Sequence, residues 1–141
     1  MGEEEKKAAE ELEKLRYLQE LYMQEYNAVL GKLSEYAADS AAMERNREVL
    51  NNIDKIKGNN ILLNLEGGSY IEVKVNDIAG ILTYVGAGYI IETDKENASR
   101  ILETNSKRVE ELAKKLNAEK EKLEGILTDI EFEIEGYSSG R

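Results

Sequence analysis

At 141 residues, with 41% apolar and 34% charged residues, one Phe and no Trp, the chain is rich in charge and poor in aromatics for a compact globule and suits a coiled coil. Its formal net charge of −10, from 29 acidic and 19 basic residues with no basic run, repels phosphate and makes DNA, RNA and anionic membranes poor partners. Cys is absent, which removes disulfides and thiolate chemistry.

The chain opens on GEEEKKAAEELEK, which has no apolar core of a secretory signal. No apolar run approaches the roughly 18–20 residues that span a bilayer. The expectation is a soluble, cytoplasmic protein. The opening acidic-basic run, Glu3 to Lys14, is either a frayed tip or the solvated first turns of a helix, where the macrodipole favours negative charge. From about Glu10 to Lys57 the pattern predicts one long helix. Leu15, Tyr22, Val29, Tyr36, Met43 and Leu50 recur at heptad spacing, with a second column at Leu12, Gln19, Tyr26, Leu33, Ser40 and Arg47. Alternating steps of three and four residues make an a/d seam, and a sustained seven-residue repeat implies a left-handed supercoil. The second column turns polar at Ser40 and Arg47, where the seam should weaken. Gly31 is the one internal breaker, costing about 1 kcal/mol relative to Ala. Gly58 is placed to take the left-handed position past the last turn. At about 1.5 Å per residue such a helix is roughly 70 Å long.

The centre, Ile61 to Glu92, reads ILLNLEGGSYIEVKVNDIAGILTYVGAGYIIE. In SYIEVKV, Ile71, Val73 and Val75 alternate with Tyr70, Glu72 and Lys74, the period of a half-buried strand. ILLNL, ILTYV and GYIIE are apolar on nearly both faces. Glu66-Gly67-Gly68 and Gly86-Ala87-Gly88 turn the chain tightly, which predicts four strands in two hairpins. A phosphate-cradling role for Gly86 and Gly88 is disfavoured, since the longer fingerprint is missing and a strand follows. Isolated hairpins are marginal in water and their open apolar edges invite another chain. Ile61, Leu63, Leu65, Ile71, Val73, Val75, Ile81, Val85 and Ile90 are therefore the candidate assembly residues, with Gly67, Gly68, Gly86 and Gly88 as turn glycines.

A second long helix is expected from about Asp94 to Tyr137. Thr93 and Glu96 have capping-box spacing. Leu102, Val109, Leu116, Leu123, Ile130 and Tyr137 form a heptad column, and Ala98, Asn105, Leu112, Glu119, Ile126 and Glu133 its companion. Asn105 and Glu119 are the kind of polar seam residues that fix register. Two helices of matched length joined by a reversing centre pair antiparallel. In DIEFEIEGYSSGR, Ile130 and Ile134 share a helix face while Phe132 points elsewhere. This stretch either frays or offers an apolar surface to a partner.

Long helix, two hairpins, long helix, with YVGAGYIIETDKENA (Tyr84 to Ala98) and EGGSYIEVKV (Glu66 to Val75) between them, resembles the α-class subunit of prefoldin over about Leu12 to Tyr137. Two hairpins point to the α class, since β-class subunits carry one. The sequence departs at Asn64 and Glu66-Gly67-Gly68, where the family often has a proline and a Gly-Ala-Gly turn. The resemblance implies a single prefoldin-like chain, mainly α with a small β part: a long antiparallel two-helix coiled coil (about 10–57 and 94–137) joined by two β-hairpins (61–92) that assemble into an oligomeric β-barrel body. It implies a hexamer of two α-class and four β-class subunits that holds non-native client proteins at its coiled-coil tips, without ATP, and passes them to a group II chaperonin. The candidate client-binding residues are Leu12, Leu15, Leu18 and Tyr22 from the first helix and Ile130, Phe132, Ile134 and Tyr137 from the second. Carboxylates beside them would keep the tips soluble and could contact a basic chaperonin surface.

Catalysis is not expected. There is no His or Cys, and the carboxylates lie mostly on solvent faces with no evident pocket to shift their pKa. The acidic clusters lack Ca²⁺-loop spacing, so neither metal nor cofactor is expected. The competing reading is a structural or filament-forming coiled-coil scaffold, since open hairpin edges can also join head to tail.

Overall fold

The computed structural model describes residues 2–138. Its elements are α1 (Glu3–Asn51), α2 (Ile53–Ile56), β1 (Asn60–Asn64), β2 (Tyr70–Lys74), β3 (Ile81–Gly86), β4 (Tyr89–Thr93) and α3 (Lys95–Ser138). They divide into two compact units: the stretches up to Ala38 and from Glu110 onward form one, and Asp39–Val109 forms the other.

In the first unit α1 and α3 pair antiparallel, and the Tyr26 hydroxyl donates to Glu124 Oε1 at 3.5 Å. The periodicity explains why they meet along one stripe. On α1, Leu12, Leu15, Gln19, Tyr22, Tyr26, Val29, Leu33 and Tyr36 are all buried or half-buried, while the residues between them are exposed. On α3 the column Val109, Leu116, Leu123, Ile130 is covered throughout, with Val109 closing the second unit. Its companion differs from the sequence expectation by one position. Ala113, Lys120, Leu127 and Ile134 are half-buried, as is Ile126 of the expected companion, whereas Leu112, Glu119 and Glu133 are exposed. The seam thus takes the flank that holds Ala113, Leu127 and Ile134 over the one that would bury two carboxylates, whose desolvation is costly without partners. The polar residue in the seam is accordingly Lys120, whose ammonium lies 3.8 Å from Glu124. Ala37 and Gly31 lie outside the stripe, and a Cβ at Gly31 would meet nothing within 4 Å.

In the second unit, α1 stops at Asn51, short of Lys57. The Asn52 amide is shared between the carbonyls of Glu48 and Val49 (3.1 and 3.2 Å), and its side-chain Nδ2 donates to the Glu48 carbonyl at 2.8 Å. An Asn that satisfies the local backbone with its own side chain competes with helix propagation. The single turn α2 follows, and Gly58 leaves it with φ +83, as the C-terminal glycine reading requires. At the other end α1 begins at Glu3, and Glu3, Glu4 and Glu5 occupy its first turn.

The α3 start is also reassigned. Asp94, not Thr93, is the cap: Asp94 Oδ1 accepts the Asn97 amide at 2.7 Å, and the Ala98 amide closes the first helical bond to the Asp94 carbonyl at 2.9 Å. The Thr93 hydroxyl instead donates to the Asp94 carbonyl. A carboxylate at this position satisfies an orphan amide and adds its charge to the positive helix end. The C-terminal stretch is helical to Ser138; the rest of DIEFEIEGYSSGR lies outside the described residues.

Candidate interaction surfaces

The four strands form two separate two-stranded antiparallel sheets, β1 with β2 and β3 with β4. The first pairs Ile61 with Val73, Leu62 with Glu72 and Leu63 with Ile71. Paired residues share a face and alternate residues along a strand do too. Ile61, Leu63, Ile71 and Val73 therefore make one apolar face, and Leu62 stands on the other among polar neighbours. At the turn, Glu66, Gly67 and Gly68 all have positive φ. A left-handed Glu is strained, and the Glu66 amide is held by Asn64 Oδ1 at 2.8 Å. The Leu65 amide and Ser69 carbonyl close the loop at 2.9 Å.

The second hairpin pairs Ile81 with Thr93, Leu82 with Glu92, Thr83 with Ile91 and Tyr84 with Ile90, with a shift at Tyr84/Gly86 that leaves Val85 in a bulge. Ile81, Thr83 and Thr93 are half-buried, and with Met43, Leu50, Ala98 and Leu102 the first two line a shallow groove. The opposite face presents Leu82, Tyr84 and Ile90 to solvent, with Leu82 73% exposed.

The nine candidate assembly residues thus fall into two groups. Ile61, Val73, Val75 and Ile81 are half-buried within the chain, whereas Leu63, Leu65, Ile71, Val85 and Ile90 are exposed. Leu62, Leu82, Tyr84 and Tyr89 are more exposed than any of the nine except Ile90, and sequence reasoning passed over them. The signal that could have found them is that ILLNL, ILTYV and GYIIE are each apolar on nearly both faces, so half of each lacks a partner whichever face turns inward. Contiguous exposed apolar surface of this kind marks an interface.

In the first unit, antiparallel pairing places the start of α1 alongside the end of α3. Leu12, Leu15 and Tyr22 are half-buried seam residues, and Leu18 is exposed. Ile130 is buried, with 7% of its surface accessible, and Ile134 is half-buried; Tyr137 is partly exposed, and Phe132 stands out at 77%. Of these eight, only Leu18, Phe132 and Tyr137 offer a free apolar surface. Tyr17 and Leu21 add to Leu18 on α1, at three- and four-residue spacings that put them on one face. They were legible as apolar residues standing outside both heptad columns.

Among the described residues no group of acidic side chains is arranged to hold a metal ion. Among the described residues no helix is long and apolar enough to cross a membrane. Lys57 with Asp77 at 3.3 Å bridges the two ends of the first hairpin and Lys95 with Asp54 at 3.9 Å joins α3 to α2; both pairs are largely exposed and contribute little each.

The family model for prefoldin subunits matches residues 20–138. Among curated proteins, the chain is 29% identical over 129 residues to a prefoldin subunit alpha of Methanoculleus marisnigri, covering 86% of this chain and 84% of the relative. It is 28% identical over 126 residues to a prefoldin subunit alpha of Pyrococcus horikoshii, covering 88% and 80%. Among solved structures, a chain of the filamentous PFD of Methanocaldococcus jannaschii superposes with a TM-score of 0.65 at 17% identity, over 81% of this chain and 95% of that one.

Proposed function

The chain belongs to the prefoldin family of chaperone subunits, and on that premise we propose that it is an α-class subunit of an ATP-independent holdase. In this reading its hairpins join those of β-class subunits, two α to four β, in a barrel-like body. Apolar residues at the paired helix ends capture non-native proteins for delivery to a group II chaperonin in the cytoplasm. The observation that carries the reading is the contrast between a closed helical seam and hairpins whose Leu62, Leu82, Tyr84, Tyr89 and Ile90 find no cover within the chain. Apolar surface of this extent is stabilised by removal from water, which a second chain supplies. Exposed Leu18, Phe132 and Tyr137 bind unfolded segments by the same area-driven attraction, with no chemical step and hence no nucleotide.

The test is the mass in solution of the chain alone and after mixing with a β-class prefoldin subunit, followed by a client-aggregation assay on the product. One discrete heterohexamer that suppresses aggregation of a denatured client supports the proposal; an unchanged mass refutes the partnership. The second reading, a scaffold or filament subunit without client binding, draws on the filamentous assembly named for the M. jannaschii chain of similar fold and on the open hairpin edges. It requires ladders or fibres by light scattering and no protection of the client.

A further inference from the structure

The end of α3 combines the most exposed large apolar side chain of the described residues with the densest run of carboxylates. Phe132 has Glu131 and Glu133 on either side in sequence, and all are exposed. On a helix, residues three and four apart are surface neighbours, so Asp129 and Glu135 flank the Phe132 ring on its own face. The fourth-position neighbour is Gly136, where an added Cβ would meet nothing within 4 Å. The exposed ring is thus an apolar pad with carboxylates at its rim. No Lys or Arg occurs between Leu123 and Ser138. Antiparallel pairing within the same unit brings the start of α1 to this end; it adds Glu10, Glu11 and Glu13 together with Lys14 and Arg16, and the Lys14 ammonium lies 3.7 Å from Glu11, so the acidic excess lies on α3.

We infer that this surface selects its occupant by charge: it takes unfolded segments in which Lys or Arg stands beside apolar residues, and disfavours acidic segments of equal apolar content. The inference rests on the holdase reading and narrows its substrate class. The physical argument is charge complementarity. A pad rimmed by one sign of charge attracts the opposite sign, raises its rate of encounter and repels the same sign. The same cation can lie over the Phe132 face, where the ring quadrupole attracts it. An acidic segment would have to bring its carboxylates against Asp129, Glu131, Glu133 and Glu135 to reach the ring. Apolar area supplies the attraction common to all clients; the rim decides among them.

The experiment measures binding of two unstructured, dye-labelled peptides with identical apolar residues, one carrying Lys and the other Glu at the intervening positions. It uses the full chain in the oligomer it forms, at low and at high salt. The expected result is binding of the Lys peptide at least about tenfold tighter at low ionic strength, a gap that closes in high salt as the Debye length shrinks to about 3 Å near 1 M. Asp129→Asn, Glu131→Gln, Glu133→Gln and Glu135→Gln together should erase the preference while leaving residual binding of both peptides. Phe132→Ala should weaken both, and all five positions are exposed, so helicity by circular dichroism stays unchanged. Equal affinity for the two peptides overturns the inference and leaves the holdase reading standing. Absence of binding to either refutes both. Unaltered binding in Phe132→Ala, or equal binding of a folded basic protein, also overturns the inference, because the surface would then read charge alone.

Discussion

The two compact units treat their apolar residues in opposite ways. In the unit built from the two chain-terminal stretches, Leu123 keeps 3% of its surface exposed and Val29 is buried beside it in the seam stripe; in the hairpin unit, Leu82 keeps 73%. The helices carry their apolar residues on one stripe, whereas three of the four strands are apolar on nearly both faces. A helix satisfies its own backbone hydrogen bonds and needs only one stripe covered, which a second helix of the same chain supplies. A two-stranded sheet leaves two edges and a face open and finds stability in a larger assembly. The helices find their cover within the unit, and in the proposed assembly the hairpins find theirs in another subunit.

The contrast can be broken from either side. The largest effect is expected in the seam: Leu123→Ala should destabilise the helical unit by about 2–5 kcal/mol, as for other buried leucines, read as a lower thermal midpoint by circular dichroism. Leu82→Glu with Ile90→Glu should leave that midpoint unchanged yet weaken subunit association by about 100-fold or more, roughly 3 kcal/mol, measured by sedimentation. Loss of helical stability in this double variant would mean that the hairpin face is covered within the chain after all. Between the two units' chemistries lies the α3 cap. Asp94→Ala should cost about 1 kcal/mol and Thr93→Ala distinctly less, which sharpens the assignment of Asp94 over Thr93. The smallest effect has the opposite sign. Gly125→Ala, at an exposed helical position where a Cβ meets nothing, should stabilise by about 0.5–1 kcal/mol in the same unfolding assay.

The long helices and SYIEVKV were legible from repeating patterns, of seven residues for the seam and two for the strand, and the other three strands and their pairing from short apolar runs set off by glycine turns. What was not legible depends on a choice between adjacent residues that the pattern leaves equivalent. Leu112 and Ala113, or Ile126 and Leu127, stand on either flank of the main α3 column. Ala113 is half-buried where Leu112 is exposed, whereas Ile126 and Leu127 are both half-buried, and between the pairs Lys120 is half-buried where Glu119 is exposed. Thr93 and Asp94 are both good caps, and the difference is which one's backbone carries the first helical carbonyl. Asn52 ends α1 through a side-chain bond that composition does not announce. At the chain ends, Phe132 was readable as a residue outside the seam from the shared face of Ile130 and Ile134. Ile130 could not be both a seam residue and a free apolar contact; it is buried, and its place in the heptad column already said so.

Antiparallel pairing of the two ends also sets a clock on synthesis. The stripe from Leu12 to Tyr36 leaves the ribosome first, and its cover begins only at Glu110. At about 5–20 residues per second, translation of the intervening Asp39–Val109 segment holds that stripe open for about 4–14 s. During that interval the nascent chain presents the same kind of surface that other chaperones recognise. Until α3 follows, that stripe has no cover from its own unit.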